Sequence, residues 1–297
     1  MQSLPPTPTV VESRLDWLTM STCNPSACAS LLEWRDRRFA VLEQEGHSEK
    51  SYAAYGRHFR ARAQVSIGVG RSDVIAQFSG GEAQRSFGDC IAWATNVSRI
   101  DLAVTGRYND PTDTVAEGEY RAAQSSPRGR GRRPELTLIL SEDRGDTLYV
   151  GSRTSDALGR LYNKWKESQA AEYTGCWRWE VQYRRGQALA TARALQASQA
   201  PAAQVQATVA SWFTGRGVRA AFGTGASPLD SSVARKPTDD ERWIAWARKS
   251  VQPRAKRLVE RYGWRFVAEA LAGRINTYEQ WESLVRDIEL ELVAVDE

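Results

Sequence analysis

Two segments of the chain alternate apolar and polar residues with the two-residue period of a half-buried β-strand. In residues 97–105, every second residue from position 100 is apolar, and Asp101 takes the polar side. In residues 177–183, tryptophan and other apolar residues alternate with polar ones, and Glu180 takes the polar side. If the two strands share a sheet, both carboxylates face the same groove. Two carboxylates, completed by water and a bound phosphate, are a usual setting for Mg²⁺ or Mn²⁺.

A short internal repeat indicates that this sheet is built from two related halves. Residues 13–20 read Ser-Arg-Leu-Asp-Trp-Leu-Thr-Met, and residues 98–105 read Ser-Arg-Ile-Asp-Leu-Ala-Val-Thr. Both segments precede a helical pattern and further strand patterns. We therefore predict an α+β fold, with one antiparallel sheet made of two related β-α-β-β halves and helices on one face. Chance similarity is the alternative for so short a match. Asp16 would be the counterpart of Asp101, without a catalytic role.

The remaining patterns complete the chain. Helices are predicted at residues 26–46, 83–95 and 113–124, and further strands at 63–70, 73–78, 135–140, 147–151 and 160–164. After Arg185 the chain becomes rich in alanine, and we predict a C-terminal helical region. Pro201 interrupts its first helix, because proline cannot continue the helical hydrogen bonds.

Tyr162 lies in the basic segment Arg-Leu-Tyr-Asn-Lys, residues 160–164. A tyrosine hydroxyl can attack a phosphodiester and hold the broken strand covalently, although most single tyrosines serve only packing or the surface. Lys164 lies two residues further along the predicted strand and therefore on the same face. It would lower the phenol pKa, which is ordinarily about 10, or clamp a phosphate. For Asp101 and Glu180 the alternative to metal binding is a structural salt bridge, and Glu167 is either a third ligand or a surface acid.

Four motifs in order carry a family resemblance: residues 99–103, 149–153, 160–167 and 177–180. Together they resemble the rolling-circle replication initiation factor family, which includes plasmid initiators, filamentous-phage replication proteins and nickases of some conjugative transposons. The resemblance implies that Tyr162 is the DNA-linking tyrosine and that Asp101 and Glu180 belong to a site for Mg²⁺ or Mn²⁺. Thr105 and Gln182 depart from the family pattern, which has acidic residues there, so this metal site has fewer carboxylates than usual.

The resemblance also implies a function. The chain would be a metal-dependent endonuclease that nicks and rejoins one DNA strand at an origin through a 5′-phosphotyrosyl intermediate. Its partners would be double-stranded origin DNA, the exposed single strand, and a host helicase and polymerase in the bacterial cytoplasm, with a homodimer as one possible state. The alternatives are a nickase at the transfer origin of a conjugative element and a DNA-binding regulator that does not cleave.

Basic residues near the motifs are candidates for contacts with DNA phosphates. They are Arg99, Arg128, Arg130, Arg132, Arg133, Arg153, Arg160 and Arg178. For the arginine-rich segment 128–133, a solvated surface loop is the alternative. The net charge of +4 is mild, so this clustering matters more than the total.

Several function classes are excluded by what the sequence lacks. His47 and His58 form no closely spaced pair, which excludes the nickases whose metal is held by two histidines and most zinc hydrolases. No Gly-x-x-x-x-Gly-Lys-Ser/Thr segment is present, so a built-in ATPase is not predicted. The four cysteines follow no zinc-binding pattern and are predicted to be free thiols. A secretion signal and an apolar run long enough to span a membrane are also missing.

We divide the chain into three predicted regions. Residues 1–12 are a disordered lead-in, residues 13–185 form the catalytic α+β nicking domain, and residues 186–297 form a helical accessory region that recognises DNA.

Overall fold

A ten-stranded antiparallel sheet dominates the part of the chain that the computed structural model describes. That part comprises residues 7–109, 114–125, 134–220, 222, 226–230, 259–261, 263 and 269. Its strands are β1 (Thr9–Thr22), β2 (Glu49–Ala54), β3 (Arg57–Arg62), β4 (Val65–Val69), β5 (Val74–Ser79), β6 (Asn96–Arg107), β7 (Leu136–Ile139), β8 (Thr147–Val150), β9 (Ala157–Asn163) and β10 (Cys176–Arg184). Its helices are α1 (Pro25–Gln44), α2 (Gly80–Cys90), α3 (Val115–Ser125), α4 (Lys164–Ser168), α5 (Arg185–Gln196) and α6 (Pro201–Thr214), with 3-10 helices at Ile91–Trp93 and Ala171–Tyr173. The predicted α+β fold class is confirmed.

The sheet has an internal symmetry about the pair β1–β6. Its strand order is β2-β3-β4-β5-β1-β6-β10-β9-β8-β7, so the strands of each half follow in the same order outward from the centre. Each half runs strand, helix, four strands, helix, and in the second half α4 and the 3-10 helix Ala171–Tyr173 lie between β9 and β10. Each half therefore has two strands more than the predicted β-α-β-β unit. The hairpin β2–β3 escaped prediction because β2 is an edge strand with mostly exposed residues and no apolar alternation.

One face of the sheet is apolar and packs against helices. α1, α2, α3, α5 and α6 all contribute to a single core cluster with the strands. In α6, Val209 and Phe213 are completely buried, and each such side chain stabilises the fold by about 1.5–3 kcal/mol. Gly159 of β9 makes room for this helix, since a Cβ there would lie 2.3 Å from the Trp212 ring. The chain after β10 therefore returns to cover the sheet.

Strand pairing and chain contacts bear on where the predicted regions divide. β1 begins at Thr9, because Thr9, Val10 and Glu12 pair with β6, so residues 9–12 belong to the sheet. The contacts divide the chain into the units Met1–Val233 and Ala234–Glu297. The first unit thus extends past Arg185 and includes α5 and α6, whose apolar faces need the sheet. Beyond Asp230, most of the predicted C-terminal helical region lies outside the described residues.

Two smaller expectations concern the membrane and the thiols. Over the residues described, the structure contains no helix with the length and apolar character needed to cross a bilayer. All four cysteines are free, as predicted, with Cys90 and Cys176 buried.

Candidate active site

Charged side chains and one tyrosine cluster on the face of the sheet that lies opposite the helices. They are Glu12, Arg14 and Asp16 on β1, Arg99 and Asp101 on β6, Arg160 and Tyr162 on β9, and Arg178 and Glu180 on β10. Because β6 pairs directly with β10, the two carboxylate strands are neighbours in one sheet, and Asp101 and Glu180 lie on the same face of it. In the neighbouring register, Tyr162 lies opposite Arg178 and Arg160 lies opposite Glu180. Most of these side chains border one pocket of about 410 Å³.

Tyr162 is half-buried in the wall of this pocket. Its hydroxyl donates a hydrogen bond to Oε2 of Glu180 over 3.3 Å. Burial raises the pKa of Tyr162 far above its usual value, and the negative charge of Glu180 raises it further. The phenol therefore keeps its proton unless a nearby base removes it.

Glu180 is the neighbouring acid and is almost completely buried. Arg160 donates to Oε1 of this carboxylate, while Tyr162 occupies Oε2. Burial raises the pKa of Glu180 to about 7, and the carboxylates of Asp101 and Asp16 also raise it, although Arg160 acts in the opposite direction. The site consequently contains a carboxylate that changes protonation near neutral pH.

Asp101 is equally buried and is held by two side chains. Nε of Arg99 donates to Oδ1 over 2.9 Å, and the Gln182 amide donates to both carboxylate oxygens at 3.3 Å. A glutamate at position 182 would repel Asp101, whereas the amide supplies a donor. The departure of Gln182 from the family pattern therefore fits its contact.

Arg178 ties the two halves of the sheet together. Its guanidinium donates to Oγ1 of Thr105 over 2.9 Å, to Asp16 over 3.2 Å and to Glu12 over 2.8 Å. Burial alone would raise the pKa of Asp16, but the charges of Arg178 and Arg14 outweigh it and lower that pKa. Only 1% of Arg178 is exposed, so although it borders the pocket its guanidinium is engaged by these partners within the protein.

Lys164 does not lie on the strand where the sequence pattern placed it. The Asn163 side chain caps α4 by accepting from the backbone N–H of Lys166, so the chain turns into a helix at Lys164. The Lys164 ammonium pairs with Glu167 at 2.5 Å and lies 5.5 Å from the centre of the Tyr173 ring. Lys164 and Glu167 both border the pocket, and the Glu167 carboxylate pairs there with the Lys164 ammonium.

The other predicted DNA-contacting arginines differ in exposure. Arg153 is exposed, and its guanidinium lies 5.3 Å from the centre of the Tyr149 ring, which borders the pocket. Arg99 and Arg160 keep about a third of their side chains exposed while pairing with Asp101 and Glu180. Arg128, Arg130, Arg132 and Arg133 lie outside the described residues.

The sequence pattern missed four residues of β1 that reach the site: Glu12, Arg14, Asp16 and Trp17. Glu12 and Asp16 hold Arg178, and Trp17 borders the pocket. The internal repeat was the available signal, since it aligned Asp16 with Asp101.

The donor types fit a hard divalent cation, but the ligand set is small. Within the described ranges, no group of three or more histidine, cysteine or acidic residues is arranged to hold a metal. Asp101 and Glu180 supply carboxylate oxygens of the kind that Mg²⁺ and Mn²⁺ prefer. Mutual repulsion of the acids around Glu180 also favours a cation at this place. The remaining ligands would have to be water and substrate phosphate.

Comparisons with known proteins give a family match and a similar solved structure. The family model described as replication initiation factor matches residues 95–264, more than half of the chain, and the match includes Asp101, Tyr162 and Glu180. A rolling circle replication initiator protein from Geobacillus stearothermophilus, known as a solved structure, shares 16% sequence identity with this chain. The structural similarity covers 73% of this chain and 92% of that chain, with a TM-score of 0.46. No curated protein matches the sequence.

Proposed function

The chain belongs to the replication initiation factor family, and from this premise we propose that it starts rolling-circle replication by nicking one DNA strand through Tyr162. The observation that carries the proposal is the position of the Tyr162 hydroxyl. It borders an open pocket, 3.3 Å from a carboxylate whose pKa lies near 7. A nucleophile next to a base is the arrangement that covalent catalysis needs.

The reaction follows from these groups. The phenolic oxygen of Tyr162 attacks the phosphorus of a phosphodiester, and the O–P bond to the 3′ oxygen breaks. Ionised Glu180 takes the phenolic proton, and the departing 3′ oxygen gains a proton to become a free 3′-OH. The strand remains attached through a 5′-phosphotyrosyl bond. Because this bond is also a phosphodiester, a later 3′-OH can reverse the step and rejoin the strand without ATP.

The cations around the pocket would orient the substrate phosphate. Arg160 has five N–H donors, and Glu180 uses only part of them, so its exposed portion can also contact phosphate. Lys164 borders the same pocket and provides a second positive charge. Arg178 acts indirectly in this proposal, because it fixes β10 against β1 and β6.

Asp101 and Glu180 would hold a Mg²⁺ or Mn²⁺ ion. When bound, such an ion neutralises negative charge on the phosphate that is attacked. The arginines that now pair with these acids would share them with the ion.

The partners follow from the reaction. The substrate would be a duplex origin from which a short single strand is exposed, and the free 3′-OH would prime a host polymerase behind a host helicase in the bacterial cytoplasm. We assign duplex recognition to residues 234–297, where Arg248, Lys249, Arg254 and other basic residues can contact phosphates. A chain ending at Val233 should still cleave a single-stranded origin oligonucleotide but lose its preference for the duplex origin. Retained preference over competitor DNA would contradict this assignment.

Covalent-adduct mapping tests the central proposal. The full chain is incubated with Mg²⁺ and a supercoiled plasmid that carries its own gene and the flanking DNA. Protein–DNA adducts are isolated under denaturing conditions, digested with trypsin and nuclease, and analysed by mass spectrometry. We expect a nucleotide on Tyr162, within the tryptic peptide of residues 161–164. A nucleotide on Tyr149 instead, or nicked DNA without any adduct, would overturn the assignment.

A further inference from the structure

We propose that Trp17 forms a stacking subsite for an unpaired nucleobase beside the cleavage site. This inference deepens the proposed function and rests on it for its biological role. Trp17 lies on β1, in the half of the sheet that carries no candidate nucleophile, and borders the same pocket as Tyr162. The proposal begins with an irregularity in the strand.

A β-bulge turns Trp17 away from the core. Leu15 is completely buried and pairs with Leu102, but the register then shifts, and Trp17 pairs with Asp101 on the polar face. With regular alternation Trp17 would share the core face of Leu15. The repeat supplies the contrast, because its counterpart Leu102 is completely buried. Bulges commonly re-aim a side chain next to an active site, and here the re-aimed side chain is a large aromatic one.

The indole is fixed in place before any ligand arrives. Its Nε1–H donates to Oγ1 of Thr19 over 2.8 Å. The guanidinium of Arg99 lies 4.4 Å from the ring centre, and Asp101 holds that guanidinium. The ring is nonetheless only half-buried. A partly exposed aromatic ring with a fixed plane can stack on a base with little loss of side-chain entropy.

The first half of the pocket wall also offers uncharged hydrogen-bonding groups. The charged groups Arg160, Lys164 and Glu180 belong to the second half, where phosphate chemistry is proposed. Beside Trp17, the first half contributes Arg14 and Asp16, which pair with each other, and the uncharged side chains of Gln64 and Ser79. An amide and a hydroxyl can bond to base edges. Stacking tolerates every base because each has a π-face, so the predicted ligand class is a nucleobase of single-stranded DNA.

The competing explanation is that Trp17 only clamps Arg99. A thermodynamic cycle that combines a change in the protein with a change in the DNA separates the two explanations. The affinity of the full chain is measured by fluorescence anisotropy for an oligothymidylate of about twelve nucleotides, a typical single-strand site size, and for a fully abasic strand of the same length. Both probes are titrated against wild type, Trp17→Leu and Trp17→Phe. Trp165→Leu is the matched control, because Trp165 is another partly exposed tryptophan, on α4.

We expect Trp17→Leu to weaken oligothymidylate binding about five- to 150-fold, the range for one stacked base, and to leave abasic-strand binding unchanged. Trp17→Phe should retain most of the affinity, and Trp165→Leu all of it. The slope of log affinity against log salt should not change, because stacking releases no counterions. Equal losses for both probes would support the clamp and overturn the subsite. Wild-type affinity in Trp17→Leu would overturn it as well.

Photocrosslinking of the wild-type chain covers the case in which Trp17→Leu does not fold. A single strand carrying 5-iododeoxyuridine should crosslink to Trp17, located by peptide fragmentation, whereas crosslinks at other positions only would overturn the subsite. The outcomes also separate this inference from the proposed function. Trp17-dependent binding without a Tyr162 adduct would refute nicking and keep the subsite. A Tyr162 adduct together with DNA binding that does not depend on Trp17 would support nicking and refute the subsite.

Discussion

The two halves of the sheet share one order of strands but differ in the chemistry of their polar faces. In the second half, β9 and β10 carry Arg160, Tyr162 and Glu180 next to one another. On the matching strands of the first half, β4 and β5, Ser66 lies opposite Gln77, and neither is charged. The order of strands therefore does not by itself create a site.

The first half contributes ion pairs at the seam between the halves, which is the pair of strands β1 and β6 with the neighbouring Arg178 of β10. β1 pairs with β6 and sends Glu12 and Asp16 to Arg178 of β10. We infer a division of roles in which the second half supplies the reacting groups and the first half supplies ion pairs and the proposed base-stacking surface. Mutations in matched pairs, one in each half, can break or sharpen this comparison.

The largest difference between the halves should appear in nicking activity when one tyrosine of each half is replaced. Tyr162→Phe should lower nicking by at least about a thousandfold, the scale of losing a nucleophile, while origin binding persists because only one oxygen is removed. Tyr52→Phe is the first-half control, since Tyr52 is a partly exposed tyrosine stacked on Phe59, and it should nick normally. Conversion of supercoiled to open-circular plasmid measures both variants. A Tyr162→Phe chain that still forms covalent adducts would show that the proposed difference between the halves is wrong.

The next effect concerns the ion pairs that join the halves. Arg178→Met leaves Glu12 and Asp16 without their buried partner and should lower the free energy of unfolding by about 3 kcal/mol. Arg57→Met breaks the pair of Arg57 with Asp73, which lies within the first half and is more accessible, so its cost should be below about 1 kcal/mol. Chemical denaturation followed by tryptophan fluorescence measures both. Adding Asp16→Asn to Arg178→Met should recover part of the loss, and similar costs for the two arginines would contradict a special role of the seam.

Part of this comparison could be read from the sequence. The alternation in residues 97–105 and 177–183 predicted β6 and β10 and, on the condition that they share a sheet, the common face of Asp101 and Glu180, because a half-buried strand must alternate. The repeat predicted two related halves. These features depend on local pattern, which is what a sequence displays directly.

The rest depends on contacts that a local pattern does not contain. The bulge after Leu15 reverses the side of Trp17, and a strict two-residue period would place its indole in the core. The cap formed by Asn163 converts the expected strand position of Lys164 into the start of α4. From the sequence alone, α5 and α6 resemble an independent helical region. In the structure they pack on the apolar face of the sheet and share its core. Glu12 was missed because the part of β1 around it pairs with β6, whereas the pairing of β1 with β5 begins only at Trp17.

A smaller effect concerns stabilisation by a metal ion, which should depend on the acids of the second half and not on those of the first. Mg²⁺ or Mn²⁺ at about ten times its dissociation constant should stabilise the chain by about 1.4 kcal/mol, seen as a higher melting temperature. Asp101→Asn and Glu180→Gln should each remove this gain, whereas Asp73→Asn in the first half should not. Because the pKa of Glu180 is raised to about 7 and a metal ligand must be deprotonated, the gain should be larger at pH 8 than at pH 6. An unchanged gain in Asp101→Asn would place the ion elsewhere.

The smallest effect concerns the path of the DNA strand across the two halves. Arg153 is exposed in the second half beside Tyr149, whereas Arg71 is exposed in the turn between β4 and β5 of the first half. If the strand crosses the second half, Arg153→Gln should remove one phosphate contact and reduce the slope of log affinity against log salt by about 0.7 for single-stranded DNA. Its deficit relative to wild type should therefore shrink about threefold when salt rises from about 50 mM to about 200 mM. Arg71→Gln should leave the slope unchanged. Equal slope changes would mean that phosphates contact both halves, and the division of roles would then hold for strand cleavage but not for strand binding.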